Sequence, residues 1–278
     1  MKENLIDTML SYGISPKKVY ELKPLPALKG DIIMNKIEND NIFDVNKKAI
    51  EKEINVGMDI LASIYNLKEV DSGEFAHLTI QNIAYNIKQY EIVGVGNLLV
   101  MDSKDSPSLQ MVSFVITPYY KNLPLFSTDY LYIHQTRSFL IEYYDLVKEK
   151  DPLYTSYIDR FRAIKDRHTS LPDMELKKCW YDSMRSVCTA KNTSVLQDEE
   201  IFSMFTENLK LFIEMEQAYG PLSKNNIQAK WRITQDYIDG LVDTGGVSTD
   251  VFKGVLGPEK TKDFFNKAFF GTTKFLVR

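Results

Sequence analysis

The sequence contains few of the side chains from which metal and haem sites are built. Its 278 residues include 2 cysteines, Cys179 and Cys188, and 3 histidines, His77, His134 and His168. Two cysteines cannot form a disulfide framework, and their spacing is not that of a zinc-binding pair. Because the histidines are also widely separated, we expect that the protein binds no metal ion and no haem.

Motifs that bind nucleotides or carry nucleophiles are missing as well. The chain has no phosphate-binding loop, no nucleophile elbow and no HExxH pair. Gly94-Val95-Gly96 follows a β-like run but lacks the third glycine and the helix that a dinucleotide fold requires, so this segment predicts an irregularity within a strand. We therefore expect no bound flavin.

Long apolar runs and a net positive charge are absent too. No segment approaches the length of a membrane-spanning helix, and the first residues, MKENLIDTMLSYG, lack the apolar core of a signal peptide. The formal net charge of −4 disfavours nucleic acid as the main partner. These features predict a soluble protein of the cytoplasm, or of a plastid if a transit peptide has been removed, without membrane or nucleic-acid partners.

Positive charge is concentrated in one stretch, residues 148–178. It contains Lys148, Lys150, Arg160, Arg162, Lys165, Arg167, Lys177 and Lys178. Such a run is ordinarily a solvated surface. The alternative is a docking site for an acidic electron carrier, because opposite surface potentials steer weak, transient encounters.

The helical segments flank a central block of β-like sequence. With 44% apolar residues the chain can bury the core of one large domain, which we place at 43–278. Residues 1–42 contain scattered prolines and predict an extension that packs on this domain. Helical spacing of apolar residues predicts a helix over 43–67 and three more near 201–219, 227–241 and 258–268, with a shorter one near 153–164.

The central block predicts an antiparallel sheet. Residues 76–101 alternate between apolar and polar positions and predict two strands separated at Lys88-Gln89. A meander of further strands follows between 109 and 146, which gives five or six strands in all. Helices on both faces of this sheet make the predicted fold a three-layer α/β/α sandwich of the α/β class.

Asp129 is the candidate catalytic residue of this sheet. If its segment is extended, one face carries Leu125, Ser127, Asp129, Leu131 and Ile133. A carboxyl group on such an apolar face favours its protonated form because desolvation penalises the charge, so Asp129 is a candidate proton donor. The structural alternative is a turn-forming or edge aspartate.

The run SFVITPYYKNLPLFSTDYLYI, residues 113–133, resembles the central strands of the ferredoxin-dependent bilin reductases. In that family a strand, a proline, a short connection and a turn precede a catalytic aspartate, which corresponds to Asp129. The resemblance continues through Cys179-Trp180-Tyr181 and SMRSVCTAKNTSV, the helical segment 198–223 and the segment 251–271. It covers roughly residues 76–271.

The resemblance implies a function and a site. Family members reduce biliverdin, a linear tetrapyrrole, with electrons from reduced [2Fe–2S] ferredoxin and without a bound metal or flavin. A second functional aspartate lies in the loop before the terminal helix, for which Asp243 is the first candidate here and Asp250 the other. We further expect the protein to be a monomer.

The sequence departs from the phycocyanobilin-forming members at two positions. These members carry a glutamate and a histidine where this chain has Asn97 and Ser113. The resemblance therefore implies a two-electron reduction rather than the four-electron route to phycocyanobilin. We expect Asn97 and Ser113 to contact the substrate as neutral hydrogen-bonding groups, together with Met111, Ser127 and Asp250.

Two other functions are consistent with these observations. The first is reduction of an open-chain chlorophyll catabolite, which the same kind of cavity could hold. The second is a non-catalytic tetrapyrrole carrier, because the acid–base pair of the phycocyanobilin-forming members is missing.

Overall fold

The fold is a three-layer α/β/α sandwich, which confirms the predicted fold class. The computed structural model describes residues 41–276, so nearly all of the predicted extension 1–42 lies outside the described residues. The helices are α1 (Ile42–Ala62), α2 (Pro152–Arg167), α3 (Asp198–Ala218), α4 (Lys224–Asp243), α5 (Val247–Leu256) and α6 (Pro258–Phe264). The strands are β1 (Leu67–Val70), β2 (His77–Ile80), β3 (Ile83–Ile92), β4 (Gly96–Asp102), β5 (Gln110–Pro118), β6 (Leu125–Ile133), β7 (Thr136–Tyr144) and β8 (Arg185–Ser194).

All eight strands form one sheet in the order β1-β3-β4-β5-β6-β7-β8, with β2 also paired to β3. Every pair is antiparallel. From β3 onward each strand lies beside the next one along the chain, as expected for consecutive hairpins and one longer connection through α2. Only five or six strands were predicted from the sequence. The short edge strand β1 was missed, and the alternation of apolar and polar residues predicted no strand beyond residue 146.

Two turns differ from the predictions. Strand β3 runs unbroken through Lys88-Gln89, where we predicted a break. The preceding turn is Gln81-Asn82, whose φ angles of 49° and 68° suit the two central residues of a tight hairpin. Gly94, with φ of 84°, forms the turn between β3 and β4, so this segment is a hairpin turn and not a strand irregularity.

The helices follow the predictions with two exceptions. Helix α1 ends at Ala62 rather than at Leu67, because Leu67 begins β1. Helix α5 was not predicted, since residues 247–256 were interpreted as a loop. Helix α6 is followed by a π-helical turn, Phe265–Phe269, and together they occupy the segment predicted as the terminal helix.

The sheet separates two apolar cores. Helices α1, α2 and α3 cover one side, which we call the closed face, and helices α4, α5 and α6 cover the other, the open face. Strand β6 contributes to both because its side chains alternate: Phe126 and Tyr130 pack on the closed face, and Leu125 and Leu131 pack on the open face. The open face contains the candidate site.

Candidate active site

Strands β5 to β8 form the floor of a cavity on the open face. Ser113, Asp129 and Leu140 lie opposite one another in register on β5, β6 and β7. The next row of the same face contains Val115, Ser127, Glu142 and Cys188. Residues paired in this way project from the same side of an antiparallel sheet. The register therefore places two carboxyl groups and two serine hydroxyls on one small area.

The walls of the cavity are mainly apolar. Together with its open mouth the cavity contains about 1370 Å³ of empty space. Helices α4 and α5, the π-helical turn and residues 176–181 surround it. Its apolar and aromatic lining includes Met111, Leu125, Leu131, Tyr144, Tyr237 and Phe252. A concave apolar site with a few convergent polar groups is the usual form of a ligand-binding cavity.

Asp129 is the polar group at the centre of the floor. Its Oδ1 atom accepts a short hydrogen bond from the Ser113 hydroxyl, and its Oδ2 atom lies 3.4 Å from Ser127 Oγ. Burial raises the pKa of Asp129 to about 6, and the nearby Glu142 carboxylate adds to this rise, while the two serine hydroxyls oppose it. The carboxyl group can therefore hold a transferable proton close to neutral pH.

Glu142 is a second cavity carboxylate that the sequence analysis missed. Its Oε1 atom forms a 2.7 Å ion pair with Arg185 Nη1 and lies 3.7 Å from the thiol of Cys188. Arg185 in turn binds the carboxylate of Asp182. A signal was present in the sequence, because Glu142 and Asp145 are the two charged residues of the otherwise apolar and aromatic run FLIEYYDLV.

Aromatic packing fixes the helical wall to the sheet. The ring centroids of Tyr144 and Tyr237 are 5.3 Å apart. Trp180 packs directly on Gly240, where an added Cβ atom would lie 2.4 Å from the indole ring, and its Nε1 atom donates a 2.8 Å hydrogen bond to the Gly245 carbonyl. Close approach of this kind requires glycine in the helix. Helix α4 is thereby held in place over the open face.

The structure brings four of the seven predicted site residues together. Met111, Ser113, Ser127 and Asp129 line the cavity. Their placement follows from strand alternation, which the sequence shows directly. Their roles in binding and catalysis stay predictions.

Asn97 does not line the cavity, contrary to our expectation. It is fully buried, accepts a 2.7 Å hydrogen bond from Gln89 Nε2 and donates a 3.0 Å hydrogen bond to the Phe269 carbonyl. Gly271, with φ of 73°, lies so close that a Cβ atom there would be 2.5 Å from Asn97 Oδ1. Asn97 therefore anchors the C-terminal segment to β4 as a satisfied core amide.

Asp243 and Asp250 also lie outside the cavity lining. Asp243 is exposed at the end of α4. Asp250 is exposed on α5, where its Oδ1 atom lies 3.3 Å from Lys253 Nζ. The segment that we interpreted as a loop is helical. Neither aspartate therefore lies on a loop that reaches the cavity. A role for either aspartate stays a prediction.

The basic stretch 148–178 is divided by the fold. On α2, Arg160 binds Glu214 and Arg167 binds Glu207, at 2.6 and 2.5 Å. This helix covers the closed face. Lys177 and Lys178 instead are exposed beside the cavity, where Lys177 is part of the lining. Among the described residues, no carboxylate forms an ion pair with either lysine.

Within residues 41–276, no helix combines the length and the apolar character needed to cross a bilayer. The same part of the chain contains no group of three histidine, cysteine or acidic side chains arranged to bind a metal ion. The predictions that the protein binds no metal and no flavin stay predictions.

Comparison with known proteins identifies a similar fold. Neither a protein-family model nor a curated protein sequence matches the chain. The crystal structure of phytochromobilin synthase from tomato in complex with biliverdin matches with a TM-score of 0.65 and 15% sequence identity, over 82% of this chain and 85% of the tomato chain. At this identity the likeness shows a shared fold, including the central antiparallel sheet between layers of helices.

Proposed function

We propose that the protein binds a linear tetrapyrrole of the biliverdin type in the open-face cavity and reduces it by two electrons. The observation that carries this proposal is Asp129, a carboxyl group with a pKa of about 6 on the floor of a large apolar cavity. The biliverdin bound to the tomato protein of similar fold supports the same substrate class. The sequence resemblance around Asp129 supports it independently.

The chemistry requires electrons and protons to reach the same bound pigment. Two molecules of reduced [2Fe–2S] ferredoxin would each give one electron and leave oxidised, and the pigment would gain two electrons and two protons. Asp129 would donate a proton to the pigment and then be reprotonated from solvent, since its carboxyl group is partly exposed at the cavity. The apolar walls would exclude most water from the radical formed after the first electron.

The docking site for ferredoxin would lie at the cavity mouth. Ferredoxin is acidic, and Lys177 and Lys178 are exposed there. Opposite charges at the rim would accelerate encounter rather than strengthen the complex.

Anaerobic incubation of the protein with biliverdin, ferredoxin and a ferredoxin-reducing system tests this function. We expect the pigment spectrum to change with turnover and chromatography to show a product that has gained two hydrogens. Binding without bleaching would instead identify a carrier. Turnover of an open-chain chlorophyll catabolite but not of biliverdin would identify the other candidate reductase.

A further inference from the structure

The cavity floor has a second carboxylate whose environment differs from that of Asp129. Ser127 lies directly opposite Glu142 across the β6–β7 pair, and Asp129 is two residues along from Ser127 on the same face. Diagonal neighbours in this arrangement lie about 7–8 Å apart, and their Cβ atoms are somewhat closer. The two carboxyl groups are thus close enough to interact electrostatically.

The two groups have opposite partners. The neighbours of Asp129 are the neutral hydroxyls of Ser113 and Ser127. Glu142 forms an ion pair with Arg185, and both side chains are largely buried, with exposed fractions of 9% and 12%. The Arg185 guanidinium, 2.7 Å away, forms a charge-assisted hydrogen bond with this carboxylate. Where two acids have environments this different, one is suited to donate a proton and the other to hold a fixed charge.

The other ionisable groups of the cavity do not replace this charge. Four are tyrosines, which stay neutral near pH 6: Tyr85, Tyr144, Tyr181 and Tyr237. Lys177 and Cys179 line the outer part, and Lys177 is exposed to solvent that screens its charge. Across the sheet, Glu53 of α1 is buried beside Tyr132. Among the described residues lining the cavity, Asp129 and Glu142 are the two acids.

We infer that Glu142, held by Arg185, is a positioning residue for Asp129: its fixed negative charge on the cavity floor favours the protonated, proton-donating form of the Asp129 carboxyl. This inference rests on the proposed function for its catalytic meaning. The effect of the Glu142 charge on the Asp129 carboxyl group does not require a bound ligand.

Arg185 also explains why this charge stays in place. It binds Glu142 of β7 and Asp182 of the turn that precedes β8, and its guanidinium lies 5.7 Å from the centre of the Tyr181 ring. These three contacts leave the side chain little freedom to rotate. Asp182 also accepts a 3.0 Å hydrogen bond from the Cys179 backbone N–H, so the ion pair is tied to the cavity wall.

The test is the titration of Asp129 in the ligand-free protein, followed by carboxyl carbon chemical shifts or by the infrared band of the protonated acid. Glu142→Gln keeps the shape of the side chain and removes its charge. We expect the midpoint of Asp129 to fall by roughly half a unit to one unit. The change has this sign because loss of the negative charge, with Arg185 left in place, makes ionisation of Asp129 easier.

Glu142→Asp is the matched control because it keeps the negative charge. It should restore a midpoint close to that of the unaltered protein, whereas a purely structural role for Glu142 predicts equal effects from both substitutions. An unchanged midpoint in Glu142→Gln, or equal shifts in the two variants, would overturn the inference. In the turnover assay, the alkaline limb of the pH profile, where Asp129 loses its proton, should move to lower pH by the same amount in Glu142→Gln.

The experiment separates this inference from the proposed function. If the protein does not reduce biliverdin, the titration of Asp129 still shows whether Glu142 controls its charge. If turnover occurs but the midpoint is insensitive to Glu142, the proposed function stands and the inference fails.

Discussion

The two faces of the sheet are built from alternate residues of the same strands, yet one is filled and the other encloses a cavity. On the closed face aromatic rings pack tightly: Tyr143 stacks on Phe161 with centroids 3.9 Å apart, and Phe126 stacks on Phe212 at 5.5 Å. On the open face the helices stand away from the floor and leave space over Asp129. The closed face is thus a packed core, whereas the open face contains the space in which we propose that a ligand binds.

Buried carboxyl groups occur on both faces, and Glu53 of the closed face has different surroundings from Asp129 of the open face. Glu53 on the closed face is 3% exposed, accepts a 3.4 Å hydrogen bond from Tyr132 and has one oxygen without a partner in the described structure. Burial raises its pKa, as it does for Asp129. Only Asp129, however, lies at a cavity that a ligand can enter. A raised pKa alone therefore does not mark a functional acid.

The largest effect expected from this comparison is a loss of stability on the closed face. Phe205 is fully buried and meets Phe114 edge-on at 5.7 Å. Phe205→Ala should lower the free energy of unfolding by about 3–5 kcal/mol, because it creates a cavity in packed surroundings. Urea unfolding measures this loss. Phe202→Ala, in the same helix but partly exposed, is the control and should cost about 1 kcal/mol.

The second prediction concerns the open face. Asp129→Asn keeps the shape of the side chain and its capacity for hydrogen bonds but removes the transferable proton. Biliverdin should still bind, and turnover should fall by about 100-fold or more, the usual contribution of a positioned general acid. Stopped-flow spectra should show that a radical intermediate accumulates. A rate near that of the unaltered protein, with folding intact, would reduce Asp129 to a polar lining group.

The third prediction compares the two buried acids by their effect on stability at different pH values. The pKa of Asp129 is about 6 in the folded protein, and the ordinary pKa of an exposed aspartate is 3.8, so the folded protein binds the proton more tightly than the unfolded chain does. The unaltered protein should therefore lose stability as pH rises from about 4 to about 6. Asp129→Asn should remove this loss, amounting to roughly 1–3 kcal/mol, as measured by urea unfolding across that range.

Glu53→Gln should also reduce the loss of stability as the pH rises, because burial raises the pKa of Glu53 in the folded protein. The folded protein binds the Glu53 proton more tightly than the unfolded chain does. The unaltered protein should therefore lose more stability than the variant when the pH is raised. Turnover per folded molecule should not change, since Glu53 is on the closed face. A slower Glu53→Gln enzyme would contradict the assignment of catalysis to one face alone.

The smallest effect is expected at the surface, where the basic stretch is divided between the faces. Lys177→Glu with Lys178→Glu should raise the KM for ferredoxin several-fold at low salt and less at high salt, because salt screens exposed charges. Arg160→Glu with Arg162→Glu and Lys165→Glu on α2 is the comparison. The charge of the whole stretch predicted a docking surface there, but Arg160 already pairs with Glu214. A larger effect from the α2 variant would place docking on the closed face.

Strand alternation explains which parts of the site could be predicted. Asp129, Ser127 and Met111 were assigned to the correct face because the side-chain period of a strand is two and does not depend on the rest of the fold. Glu142 and Arg185 were missed because they are 43 residues apart in the sequence, and their proximity depends on the register between β7 and β8. Long-range register is not encoded in local pattern.

Asn97 illustrates the opposite error. Its strand was predicted, but its hydrogen-bond partner, the Phe269 carbonyl, comes from a segment more than 170 residues away. A buried amide in a strand can bind a ligand or satisfy a distant backbone group, and sequence alone does not distinguish these. The unpredicted helix α5 has a similar cause, since a segment of ten residues between glycines gives little periodicity to detect.

The order of the strands has a consequence for biosynthesis. From β3 to β7 the sheet consists of hairpins that can form as soon as they are made, but α4, α5 and α6, which cover the open face, begin only at Lys224. A nascent chain that has completed β8 and α3 therefore exposes the apolar residues of the future cavity floor to the ribosome surface and the surrounding solution. We expect chaperones to engage this intermediate, and fragments that stop before α4 to aggregate, because uncovered sheet faces associate readily.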